Sequence, residues 1–431
     1  MEKKNVLKRG IVKIKPIFFG ILPYRYAYGS VCSSDVVGTP PVSPPTEEEL
    51  EKATSDMISR FKNRFGKSDF VELERPLIIK EHKDFRKLPP ELSYDVDGLL
   101  VDTVDVAGAR PLELNTLSRY GLPIITGTTS NEFLRALRVK KFLKQSKFIY
   151  IGEIPSFSAP NGAHNFFSIE ERLGIRVRHI ETNEFYRYFD RFSEAEVKEE
   201  LRNWRKMFDK VLEPSVQDLM NATRVYLTFR YLCEREDANG LTVNCGRFTE
   251  ERPVTPCLAF ARLIDEGIIC ACEGDITAML SSLMIHAVSG QPMLMGNFGS
   301  RPGLYEAKEE EVTIEHDIIP LSMAKSKYII RDFHGRKFGV TGYADIKKNQ
   351  PMTILNMDKS LAKINVIEGN IKGSEDGIHC RVVIHMSVDG DINRIPEIIV
   401  GDQHVSMAFG HWLAALKETG KLLGFEVEQI V

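Results

Sequence analysis

Three polar residues in the stretch Leu241–Ile318 stand where short strand-like runs stop. Glu273 follows the apolar run Ile268–Cys272, Asn297 follows Pro292–Met295 by way of Gly296, and His316 follows Glu311–Glu315. Runs of this length are too short for helices and read as buried strands. Between them lie helix signals. Thr255-Pro256 supplies a capping hydroxyl and a proline at the first helical position, and that helix ends near Gly267. Asp275 or Thr277 can cap the next helix, which Gly290 closes. Parallel strands joined by helices bring their carboxyl ends to one edge, where ligands of open α/β sheets bind. A carboxylate, an amide oxygen and an imidazole on such an edge are the makings of a divalent metal site. The competing reading is structural: Glu273 caps a helix, Asn297 turns the chain and His316 merely ends a strand.

These residues belong to a chain of 431 residues, too long for one core. Charged residues make up 27% and hydrophobic ones 43%, an ordinary globular balance. The net charge of −3 argues against nucleic acid or an anionic membrane as partner. Near the start, Lys13 and Lys15 interrupt the approach to the short apolar run Ile17–Leu22, so neither a signal peptide nor a membrane span is expected. Seven cysteines, several inside apolar runs (Cys245, Cys257, Cys270, Cys272), have the look of reduced, packed thiols, and a cytoplasmic protein is expected.

Along the chain, Val12–Leu22, Phe70–Leu73, Val96–Val101 and Leu122–Thr126 read as strands. A capping box at Thr46-x-x-Glu49 opens a helix to about Phe65, and another helix reaches Leu143. A second unit of the same kind begins with Lys147–Ile151, a capping box at Ser168-x-x-Glu171 and Ile175–Ile180. Its helices are Glu194–Trp204 and Pro214–Arg230. After His316 the texture changes to short strands separated by Gly, Asp and Asn. These are Tyr328–Asp332, Phe338–Thr341, Met352–Asn356, Ala362–Glu368, Cys380–Val388 and Glu397–Val400. Even spacing without helices reads as an antiparallel barrel or sandwich. A helix from about Ala408 to Leu423 and the strand Phe425–Ile430 close the chain. The expected architecture is two Rossmann-like doubly wound α/β domains, residues 1–146 and 147–307, followed by a C-terminal antiparallel β-barrel domain, residues 308–431.

Four separated segments carry a resemblance. Cys272-Glu273-Gly274-Asp275, Met295-Gly296-Asn297, Glu315-His316-Asp317 and Val400-Gly401-Asp402-Gln403-His404 resemble the motifs of the L-arabinose isomerase and L-fucose isomerase superfamily. The resemblance extends upstream through Arg135–Glu153 and Thr223–Glu266. It implies a metal-binding glutamate at Glu273, a second carboxylate at the position of Asn297, and histidine ligands at His316 and His404. It further implies a divalent metal, Mn²⁺ foremost, and a homotrimer or homohexamer with sites near subunit boundaries. The activity implied is aldose–ketose isomerisation of a pentose, deoxyhexose or related sugar through an enediol.

This chain departs from that pattern at Asn297. An amide oxygen can ligate Mn²⁺ or Mg²⁺ but cannot shuttle a proton at neutral pH. The departure keeps open a sugar-binding homologue without isomerase activity, and a different reaction on the same scaffold, such as isomerisation of a charged sugar or carbon–carbon cleavage. Glu273 and Asn297 are the catalytic candidates; Glu273, Asn297, His316 and His404 are the metal candidates. His164, Gln403 and His411 are candidate substrate contacts, although isolated histidines more often serve structure. The loops Cys32–Pro45, Pro155–Phe167 and Phe298–Ala307 are expected to read the substrate.

Overall fold

The structure is a computed structural model that describes residues 9–19, 46–65, 68–80, 82–92, 95–101, 111–154, 165–299, 311–317, 319–389 and 404–430. It divides into two compact units, Gly10–Lys141 on the one hand and Phe142–Val431 with Met1–Arg9 on the other.

The first unit runs β1 (Val12–Phe19), α1 (Glu47–Phe65), β2 (Val71–Leu73), β3 (Leu77–Ile79), β4 (Gly98–Val101), α2 (Pro111–Ser118) and β5 (Ile124–Ile125) into α3 (Asn131–Gln145). All its strand pairings are parallel, in the order β2-β1-β4-β5, with β3 also on β1. The expected box opens α1: Thr46 Oγ1 accepts the Glu49 N–H at 3.2 Å and Glu49 accepts the Thr46 N–H at 2.8 Å. Ile17, Ile79, Leu99, Val101 and Leu117 form the buried core.

The second unit opens with β6 (Lys147–Ile151), α4 (Phe166–Leu173), β7 (Arg176–Ile180), α5 (Thr182–Phe189), α6 (Glu194–Trp204), β8 (Phe208–Val211) and α7 (Val216–Glu236). It continues through β9 (Gly240–Val243), α8 (Cys245–Glu251), α9 (Cys257–Asp265), β10 (Ile269–Ala271) and α10 (Ile276–Ser289). Its parallel sheet has the order β10-β9-β6-β7, which matches the first unit's order once β3 is set aside. Two cap expectations fail here. Helix α4 starts before Ser168, because Asn165 accepts the N–H groups of Phe167 and Ser168. Thr255 does not cap α9; its hydroxyl exchanges hydrogen bonds at 2.9 Å with the N–H and C=O of Val340. Distant backbone just before β14 outcompetes the local cap, which sequence spacing cannot show.

Then come β11 (Leu294–Phe298), β12 (Glu311–His316), β13 (Tyr328–Arg331), β14 (Thr341–Tyr343), β15 (Pro351–Met357), β16 (Lys363–Asp376), β17 (Val382–Val388), β18 (His404–Phe409), α11 (Leu413–Leu423) and β19 (Glu426–Gln429). Strands β15-β18-β11-β12-β17-β16 form an antiparallel barrel, closed by the pairing of β15 with β16. The reading of β11 as a further parallel strand of the central α/β domain is therefore wrong: it is an antiparallel barrel strand, like β12, which falls within the expected barrel residues 308–431. Nor do β13 and β14 join the barrel; they form a separate three-stranded sheet with β8, in the order β14-β13-β8. The expected strand Glu397–Val400 lies outside the described residues. No described helix is long and apolar enough to cross a membrane.

Helix α10 joins the two halves of this unit. Every residue but His286 is buried, as an all-round apolar helix must be. One side packs on β9 and β10, the other on β15 and β18. A side chain at Gly240 would meet the terminal methyl of Met279 from α10 at 2.3 Å and the Ile269 carbonyl at 3.1 Å, so the space over β9 is filled by α10 and by the neighbouring strand. On the barrel side its serines serve as fixed hydrogen-bond partners. Ser281 Oγ accepts the Met357 N–H at 2.9 Å, and Ser282 Oγ meets Ser406 Oγ at 2.8 Å. Ser281→Ala would leave the buried Met357 N–H without its partner, at a cost of about 1–3 kcal/mol. The urea midpoint should fall accordingly with the slope of the transition unchanged.

Candidate metal centre

Glu273 leaves the end of β10 in a left-handed conformation, φ 61°, followed by Gly274 at φ 65°. A left-handed glutamate costs on the order of 1–3 kcal/mol and persists only where its surroundings hold it. Tyr150 from β6 does part of that holding, its hydroxyl donating to the Gly274 carbonyl at 3.2 Å. This pair of residues turns the chain sharply enough for Asp275 to begin α10, accepting the Ala278 N–H at 3.0 Å and the Thr277 hydroxyl at 2.7 Å through Oδ1.

The other Asp275 oxygen lies 2.9 Å from Nδ1 of His404, the first residue of β18. Because an ionised carboxylate only accepts, Nδ1 carries the hydrogen and Nε2 is aimed at Glu273. His404 Nε2 is 3.6 Å from Glu273 Oε1, and so is Nε2 of His316 at the end of β12. The two imidazoles face each other with ring centroids 5.7 Å apart. All three candidate ligand atoms lie within 4.8 Å of one another. A separation of 3.6 Å is too long for a hydrogen bond. Two ligands with bonds of about 2.1 Å to one ion would stand roughly 3.0–3.6 Å apart. His316 is buried, and its Nδ1 has no hydrogen-bond partner among the described residues. The donor set of one carboxylate and two imidazoles fits a divalent first-row ion.

Asn297 sits on β11 directly across from both His404 and Glu315, so the barrel sets it next to one member of the trio, His404. Its amide nitrogen lies 3.5 Å from the Glu315 carbonyl. Gly296 permits this approach of β11 to β12, since a side chain there would meet Ile314 at 2.6 Å and the Glu315 carbonyl at 2.9 Å. His411 is not brought to the trio: it is largely exposed and pairs with Glu368 at 3.4 Å. His164 and Gln403 lie outside the described residues, as do most of the loops expected to read substrate.

Beside the trio is a cleft with ≈ 370 Å³ of empty space, its mouth included, lined among others by Glu273, His316, Asp317, His334, Cys245 and Cys380. Cys245 and Cys272 place their sulfurs 3.6 Å apart near its wall. Burial among neighbouring thiols raises the pKa of Cys257 and Cys272 well above the usual range, in keeping with packed, protonated cysteines. Sequence reasoning missed the second role of Asp275 and the presence of His334. Asp275 carried a visible signal as a helix cap; nothing local pointed to His334.

The charges within the trio are strongly linked. Burial alone would lower the pKa of His404, but the hydrogen bond to Asp275 and the nearby negative charge of Glu273 outweigh it and push the imidazole from 6.5 up to about 9. Burial likewise opposes ionisation of Glu273 and Asp275, yet the histidines hold both carboxyls below their usual range. A raised His404 contributes stability in full below pH 6.5, and loses it as pH climbs through about 9. The lowered carboxyls contribute above their ordinary range and lose it in acid. Chelator-treated protein should therefore melt at its highest temperature between these limits, with the melting temperature falling from pH 6.5 toward 9. A His404→Asn variant should lack that alkaline fall.

Residues 165–290 match the central domain of L-arabinose isomerase. The matched segment begins at the Asn165 cap of α4 and ends at Gly290, the left-handed residue that closes α10. No curated protein matches the chain. Among solved structures, GanP, a glucose-galactose binding protein from Geobacillus stearothermophilus, aligns over 65% of this chain and 92% of its own. The identity is 12% and the TM-score 0.15, a superposition too poor to bear on fold or function. The similarity to the L-arabinose isomerase central domain thus takes in the α/β segment that carries Glu273 and Asp275, while Asn297, His316 and His404 lie beyond it on barrel strands.

Proposed function

We propose that this chain is a metal-dependent aldose–ketose isomerase acting on a pentose, a deoxyhexose or a related sugar. The observation that carries the reading is a single carboxylate oxygen, Glu273 Oε1, lying 3.6 Å from Nε2 of both His316 and His404. The match of residues 165–290 to the L-arabinose isomerase central domain supports it from an independent direction. Glu273, His316 and His404 would hold the ion, Mn²⁺ for preference, with Asn297 beside them. When bound, that ion supplies stabilisation for the negative charge that develops on the sugar oxygens. Glu273 would take a proton from C2 and return it to C1. Asp275 keeps His404 in one tautomer and one orientation. Asn297 can accept and donate hydrogen bonds but carries no proton between atoms. The same proposal includes a cytoplasmic setting and a homotrimeric or homohexameric assembly.

Asn297 is also the observation that favours a second reading, in which the site binds a sugar without isomerising it or handles a charged sugar or a carbon–carbon bond. Metal analysis of the purified protein followed by turnover assays on a panel of aldoses decides between them. Saturable sugar binding without turnover on any member would replace the isomerase reading with the binding one. Glu273→Gln should abolish turnover; an active variant would remove Glu273 from the chemistry. Asn297→Asp separates two roles. If the asparagine merely weakens an isomerase, kcat on a simple aldose should rise by about 10²–10⁴-fold, the range of a positioned acid/base. If it reads the native substrate, activity on that substrate should fall, because aspartate cannot donate the amide hydrogen bonds.

Asp275 offers a cleaner test of the ligand geometry. Asparagine caps helices as well as aspartate does, so Asp275→Asn should spare α10. Losing the carboxylate behind His404 should still weaken Mn²⁺ binding by about 10–100-fold, measured by titration of the chelator-treated protein.

A further inference from the structure

The cleft beside Glu273 holds an ionisable pair that the ligand trio does not use. Asp317 follows His316 directly, and its buried carboxylate lies 2.8 Å from Nε2 of His334. Its other oxygen accepts the Arg381 N–H at 2.9 Å, so the carboxylate is fixed at both ends. The His334 ring is fixed as well, stacked on Phe333 at a centroid distance of 3.8 Å and met edge-on by His379 at 5.0 Å. Its backbone takes a left-handed conformation, φ 53°, of the kind that clusters at functional sites. With an acceptor-only carboxylate on Nε2, that nitrogen carries the hydrogen and Nδ1 keeps the lone pair. Glu273, His316, Asp317 and His334 all line this one cleft.

We infer that His334 is a catalytic residue that carries the proton between the two sugar oxygens, with Asp317 as its positioning residue. The inference rests on the isomerase reading above. Glu273 takes the C2 proton; the C2–H electron pair becomes the C1=C2 bond, and the C1=O π pair moves onto O1. His334 Nδ1 then takes the proton of O2 and delivers it to O1. The O2 electron pair closes C2=O, and the C1=C2 pair recovers the proton from Glu273 at C1. One hydrogen has moved from C2 to C1 and one from O2 to O1, with no oxidant or co-reactant. A single carboxylate can serve two adjacent carbons. The oxygens need a second carrier, and Asn297 is not one. A histidine backed by a carboxylate is suited to that task.

The test uses the full-length protein loaded with Mn²⁺ and has two readouts. In the first, histidines are carbethoxylated with diethyl pyrocarbonate and mapped by mass spectrometry, with and without a saturating five-carbon polyol (arabitol, ribitol and xylitol in turn). Such a polyol should slow modification of His334 and leave exposed His411 unchanged. In the second, His334→Gln should lower kcat by about 10²–10⁴-fold with KM, Mn²⁺ content and melting temperature near wild type. Asp317→Asn should likewise lower kcat while sparing KM. Modification of His334 at one rate under every condition overturns the inference. An active wild type whose His334→Gln variant keeps its kcat overturns it alone, whereas a wild type inactive on every sugar overturns the isomerase reading along with it.

Discussion

The arrangement depends on one carboxylate serving two masters. Asp275 satisfies the first turn of α10 with one oxygen and holds Nδ1 of His404 with the other. The first contact starts the helix that lies between the parallel sheet and the barrel. The second fixes a barrel histidine against a residue that leaves that sheet. Remove either and Glu273 and His404 no longer share a defined geometry. The burial of Asp275 makes this strict, since a buried carboxylate without its partners would bear the full cost of desolvation.

Helix α10 carries that constraint outward. Its apolar residues fill the space on both sides, while Ser281 and Ser282 set its height along β15 and β18 through hydrogen bonds that tolerate little sliding. The closed barrel does the rest. With β15 paired to β16, a shift of one strand would propagate around the ring, and a slip of β18 by one residue would turn His404 to the opposite face. Rigid elements on both sides are what a site demands when its donor atoms must stand within a few tenths of an ångström of a productive spacing.

Asn297 is best understood within this frame. The register that sets it opposite His404 and Glu315 is intact, Gly296 still allows the close approach of β11 to β12, and both histidines keep their places. A carboxylate at that position would add a negative charge beside His404 and Glu315, whereas an amide adds none. The cleft beside Glu273 supplies other groups, including the Asp317–His334 pair and the buried thiols of Cys257 and Cys272.

Much of this was written locally in the chain. Strand-ending polar residues after short apolar runs marked Glu273, Asn297 and His316, and the box at Thr46 and Glu49 marked the start of α1. Period and punctuation also announced two α/β units and a change to short strands after His316, because helix and strand periods are properties of neighbouring residues. Partner choice is not. Nothing in Leu294–Phe298 or Glu311–His316 says whether the next strand runs parallel or antiparallel, and both proved to be barrel strands. The hydroxyl of Thr255 was taken by backbone 85 residues away in sequence, and His334 lines the cleft with its ring held by Asp317. Such choices are made by whichever distant surface satisfies a buried donor or fills a gap, and that surface exists only once the chain has folded.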